Sequence, residues 1–118
     1  MRVIPLKVQT PRRRVPRRAQ RYPVNWAVTA INGKPVRDSW MVDVSCMGAR
    51  LDTAAALSPN MPVQFTVILP DGETALEVNG RVAWMRLIFG SRGRYHQGIQ
   101  FHGINWDLDR LAKQESRG

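Results

Sequence analysis

A chain of 118 residues, 43% of them hydrophobic, has the size and composition of one folded domain with a modest core, which excludes wholesale disorder. Its 18 Lys and Arg against 9 Asp and Glu give a net charge of +9. That excess is localised: residues 1–21 carry eight basic side chains and no acid, and the remaining 97 carry ten basic and nine acidic ones. A nearly neutral body with a positive arm points to a local contact with a polyanion. Cys46 is the single cysteine, so no internal disulfide can form and nothing suggests an oxidising compartment. No apolar run approaches the roughly 18 residues of a membrane span, and the N-terminal stretch lacks the apolar centre of a secretory signal. The cytoplasm is the expected location.

In chain order, residues 1–11 read as a tail, with Val3, Ile4, Leu6 and Val8 able to form a short extended piece. Residues 12–21 hold six arginines in ten positions (Arg12, Arg13, Arg14, Arg17, Arg18 and Arg21), interrupted by Pro16. Such a segment buries too little apolar surface to offset its ordering entropy, and flexibility without ligand is expected. From Tyr22 the pattern has period two. Val24, Trp26, Val28 and Ala30 form the inward face of a half-buried strand. Asn32-Gly33 signals a two-residue hairpin, because both positions tolerate positive φ. The next strand runs from Lys34 to Ser45 with a break near Arg37–Ser39, and Met47-Gly48 turns the chain into a short strand, Ala49 to Asp52. Residues 53–62 form a loop broken by Ser58-Pro59-Asn60. Val63, Phe65, Val67 and Leu69 mark a strand, and Pro70-Asp71-Gly72 a turn. Leu76, Val78, Val82 and Trp84 form the apolar face of another, with Gly80 placed for a bulge or bend. Residues 86–94 are a loop at a hairpin end, and His96 to Phe101 is the last strand. Asn105 caps a terminal helix whose apolar side is Trp106, Leu108, Leu111 and Ala112, with fraying over 115–118.

Short strands joined by hairpin signals and followed by one helix define an all-β fold, a small antiparallel barrel. The spacing excludes a parallel nucleotide-binding sheet.

Two stretches stand out chemically. Arginine forks onto phosphate and pairs with the O6/N7 edge of guanine, although a charge run by itself equally fits a solvated tail or a nonspecific nucleic-acid contact. In Asp43-Val44-Ser45-Cys46-Met47-Gly48, Asp43 and Ser45 share one strand face; if Val42 and Val44 face the core, both polar side chains face out. They either recognise a ligand or simply cap a turn. Cys46 reads as a small buried side chain without a histidine partner for nucleophilic catalysis, and His96 and His102 with one cysteine make no metal set. Trp26, Trp40 and Trp106 read as core or interface. Trp84 is divided between core packing and a ligand platform. No carboxylate pair, phosphate-cradling loop or triad spacing suggests an enzyme.

Taken together, Arg13-x-x-x-Arg17 followed after 25 residues by Asp43-x-Ser45-x-x-Gly48 resembles the paired signature of PilZ domains. The resemblance extends from about Arg12 to Leu111 and includes Gly80-Arg81-Val82-Ala83-Trp84 and Gly98-Ile99-Gln100-Phe101. It implies a six-stranded antiparallel, split β-barrel with a short C-terminal helix, spanning 12–114, that binds cyclic di-GMP as ligand and needs no cofactor. Carried over, Arg13 and Arg17 match the arginine pair, Arg12 and Arg14 flank it, and Asp43, Ser45 and Gly48 match the second motif. Trp84 lies where some members present an aromatic ring to a guanine. Arg14-x-x-x-Arg18 and Arg17-x-x-x-Arg21 share the spacing of the first motif, but the order of residues 12–17 is most similar to the family pattern. The reading is a bacterial second-messenger receptor, monomeric or homodimeric, that orders its arm on the ligand and signals to a protein effector. Two other readings stand beside it: a basic nucleic-acid-binding barrel, and a PilZ-like interaction module without ligand.

Overall fold

The computed structural model describes residues 2–5 and 20–117. Arg12, Arg13, Arg14, Arg17 and Arg18, and the flexibility expected of the arm, lie outside the described residues. The elements are β1 (Arg2–Pro5), β2 (Tyr22–Ile31), β3 (Lys34–Pro35), β4 (Trp40–Val44), β5 (Gly48–Thr53), β6 (Pro62–Ile68), β7 (Thr74–Leu87), β8 (Tyr95–Phe101) and α1 (Trp106–Arg117).

The sheet runs β7-β6-β2-β4-β5-β8, and β8 pairs back onto β7. This closes the small antiparallel barrel that the hairpin signals implied, with the six strands that the family resemblance implied. The two-residue β3 pairs with β2 alone, and β1 lies parallel to the start of β7, with Arg2 opposite Thr74 and Pro5 opposite Glu77. Closure removes the open edges that a flat sheet would present along most of its length.

Local chemistry explains the elements. Asn32 and Gly33 both take positive φ (51° and 79°), the turn that matches the twist of a hairpin, and the Asn32 side-chain oxygen accepts the Gln64 N–H at 2.9 Å. Asp71 holds the β6–β7 turn by accepting the N–H groups of Glu73 and Thr74, both at 2.8 Å. Inside the barrel, Trp26, Met41, Val44, Leu51, Phe65 and Val82 are almost fully buried. Helix α1 closes one end, packing on β2 and β4 with Leu108 and Ala112 inward.

Bulges change the faces expected from strict alternation. A register shift between Val28 and Ala30 sends Ile31 inward in place of Ala30. A second, between Met41 and Asp43, buries Met41 and Val44 and leaves Val42 only half-buried, so Val42 is not the inward partner of Val44. On β7 the irregularity lies between Val82 and Trp84 and not at Gly80, which continues the inward face. Trp84 is therefore turned out of the core. Trp106 is likewise exposed, although expected on the apolar side of α1. The helix continues to Arg117, past the fraying expected from 115.

Candidate ligand cleft

One row of residues crosses the barrel's outer surface. By strand register Pro23 lies opposite Asp43, Asp43 opposite Arg50, Arg50 opposite Gly98, and Gly98 opposite Trp84. Arg21, two residues before Pro23, reaches the same row. All of these except Pro23 line a cleft of about 300 Å³, together with Met47, Gly48, and Ile99 and Gln100 of β8.

Asp43 is its electrostatic centre. The Oδ1 atom accepts hydrogen bonds from Arg21 through Nε at 2.9 Å and through Nη2. On the other side Arg50 Nε lies 3.2 Å from Oδ2, an ion pair whose alignment leaves that buried N–H without a hydrogen bond. The Arg21 and Arg50 side chains remain 51% and 42% exposed, whereas that of Asp43 is 14% exposed. One carboxylate thus fixes two cations and leaves the trio with one net positive charge. Their outer N–H groups are available to an anion or to the acceptor edge of a base.

Gly98 and Trp84 form the opposite wall. A Cβ at Gly98 would collide with the indole of Trp84, so the ring occupies the space that glycine leaves vacant. Trp84 is 40% exposed, and the Arg86 guanidinium sits 5.8 Å from its ring centroid. A flat, partly uncovered aromatic face beside two arginines suits a planar, electron-rich ring.

The second motif acts differently from expectation at one position. Ser45 does not face outward: it is 1% exposed, and its Oγ accepts the N–H groups of Met47 at 3.1 Å and Gly48 at 3.2 Å. It shapes the turn, and so positions Asp43 and Gly48 without touching the cleft. Gly48 lines the cleft, yet its lack of a side chain is required first by β8, because a Cβ would fall against the Ile99 carbonyl. The same turn holds the helix. Asn105 N–H donates to the Cys46 carbonyl at 2.7 Å, and the Asn105 side chain caps α1 by accepting Leu108 N–H at 3.0 Å. Burial pushes the Cys46 thiol above its usual range, with the charge of Asp109 adding to the effect. Burial also raises the Asp109 carboxyl, against Lys113 and the Cys46 backbone N–H, which both lower it.

Of the residues singled out from sequence, Asp43, Gly48 and Trp84 come together in the cleft and Ser45 lies beneath it. Arg21 and Arg50 were not assigned. Arg21 was visible as the end of Arg17-x-x-x-Arg21, and its place follows from standing just before β2, whose Tyr22 pairs with Val44. Arg50 is the cross-strand partner that a tight Ser45–Gly48 turn gives to Asp43.

The chain is thus a closed barrel with an arginine–aspartate–tryptophan cleft on its outer face. The family model described as PilZ domain matches residues 12–114, and the chain belongs to that family of cyclic di-GMP-binding adaptor domains. Among solved structures, that of the Bacillus subtilis inhibitor of motility (MotI/DgrA) is similar, with a TM-score of 0.64 and 19% identity. The match covers 91% of this chain and 54% of that one, so the chain spans about half the length of that protein, and at this identity the likeness is one of fold. No curated protein matches significantly. No helix among the described residues is long and apolar enough to cross a membrane.

Proposed function

We propose that the protein is a non-enzymatic cyclic di-GMP receptor, with the Asp43-centred cleft as its ligand site. The observation that carries this reading is the convergence of Arg21, Arg50 and the exposed Trp84 ring on one cleft, around a carboxylate that pre-positions both guanidinium groups. A guanine stacks on Trp84 with its acceptor edge toward the arginines, and a phosphate takes the remaining N–H groups. The arm residues Arg12, Arg13, Arg14 and Arg17 close over the ligand from the open side. With Arg21 on Asp43, Arg17-x-x-x-Arg21 is the register whose second arginine is already at the site. Closure of the arm changes the surface presented to a protein effector in the cytoplasm.

Calorimetry with cyclic di-GMP on the full chain tests the site. Arg21→Ala removes a charge-assisted contact of about 1.5–3 kcal/mol, so binding weakens roughly tenfold or more. Arg17→Ala weakens it comparably, and Arg13→Ala less. Affinity unchanged by Arg21→Ala and Trp84→Ala would remove this cleft from consideration. Affinity for oligonucleotides that grows with their length and falls steeply with salt would favour a nucleic-acid-binding barrel instead. Hydrogen exchange over residues 12–21 should slow at saturating ligand; unchanged exchange would refute arm closure.

A further inference from the structure

Among the described residues, the end of β7 is an open sheet edge. Up to Arg81 the strand is flanked by β6, and Val82 is bonded to the preceding loop: its N–H donates to the Met61 carbonyl at 3.0 Å, and its carbonyl accepts Asn60 N–H at 2.6 Å. Ala83 is the unpaired residue of the bulge; from Trp84 to Leu87, β8 pairs one edge, and among the described residues nothing pairs the other. All five side chains are exposed, including the large apolar Trp84, Met85 and Leu87. The direction of the backbone groups follows from the hairpin. Ile88 N–H donates to the Arg94 carbonyl at 2.9 Å, and antiparallel ladders alternate, so Arg86 and Trp84 bond toward β8. The N–H and C=O groups of Met85 and Leu87 therefore point to the open edge.

We infer that Ala83–Leu87 pairs antiparallel with the same segment of a second copy of this chain, about a two-fold axis at Met85. In that register Met85 meets its own copy, Leu87 meets Ala83, and Trp84 meets Arg86 on both sides of the axis. Apolar side chains face apolar ones, each guanidinium faces an indole, and no like charges are opposed. Within one chain Arg86 already lies over Trp84, at 5.8 Å, which shows the pairing this face favours. The second copy is the occupant because the strand is its own complement under a two-fold operation. The seam stops at Val82, whose backbone is already bonded. Such a short contact falls well below a standard interface, so the assembly is a reversible equilibrium and not an obligate dimer.

Analytical ultracentrifugation of the full chain without ligand, from micromolar to millimolar concentration, tests this independently of cyclic di-GMP. The mass should rise from monomer toward dimer. Met85→Pro removes an N–H that faces only the open edge, and Met85→Lys sets like charges opposite each other at the axis. Each should move the midpoint to roughly tenfold higher concentration or beyond, with circular dichroism and melting unchanged. Phe89→Ser, at the hairpin tip outside the seam, should leave it in place. A monomer throughout the range overturns the inference, as does a dimer indifferent to the Met85 variants, which would be built on another face. If Met85→Pro perturbs folding, Met85→Lys decides alone.

Discussion

Gly98 and Trp84 are coupled as a seat and its occupant, and a single added methyl group tests the coupling. Because the atom that Gly98→Ala would strike is the indole of an exposed, rotatable side chain, the ring can move at little cost to the barrel. The expected outcome is a melting temperature within about 3 °C of the parent and cyclic di-GMP affinity reduced by roughly tenfold, read by calorimetry. A similar division shows what single residues disclose from sequence. Asp43 and Gly48 were legible as a motif because their spacing is local. The role of Ser45 was not, because accepting two N–H groups in a buried turn and facing a ligand are both consistent with the same alternation. Arg50 had no motif of its own. Its place in the cleft comes from lying across from Asp43, a relation that exists only once the turn is formed.

The elements themselves were largely readable, since hairpin turns and alternating apolar residues are written in consecutive positions. Asn32-Gly33 and the Asn105 cap appear where their side-chain chemistry placed them. Bulges were not readable: the shifts at Val28/Ala30, Met41/Asp43 and Val82/Trp84 depend on the partner strand as much as on the strand that carries them. The connection of α1 to the cleft is another non-local fact. Asn105 ties the helix to Cys46, inside the turn that carries Gly48. Asn105→Ala removes the cap and should cost about 1 kcal/mol, which lowers the melting temperature by roughly 3–6 °C. Thermal denaturation followed by circular dichroism measures it, and an unchanged melt would mean that the cap contributes nothing.

For the molecule as a whole, Asp109 sets a pH dependence of known sign. Its carboxyl is raised from 3.8 mainly by burial, so the folded state binds the proton more tightly than the unfolded chain does. The stabilisation that this gives is present below 3.8 and is lost as pH rises through the raised value. Above it, the folded state carries a partly desolvated charge. Asp109→Asn keeps an acceptor for the Cys46 N–H and removes the charge. The variant should therefore melt higher than the parent near pH 7, and this advantage should vanish near pH 3, as compared by thermal melts at the two values. An advantage independent of pH would show that charge burial is not its source. The extra residue near Ala83 has a consequence that is a matter of parity. A strand counts its side chains in twos, and counting from Gly80 by twos would deliver the indole at position 84 into the barrel's interior. The bulge takes one residue out of that alternation and makes the count odd, and the same tryptophan arrives outside, above Gly98 and beside two arginines. Whether such a barrel displays an aromatic face or hides it is decided by whether the strand bulges between the glycine and the ring.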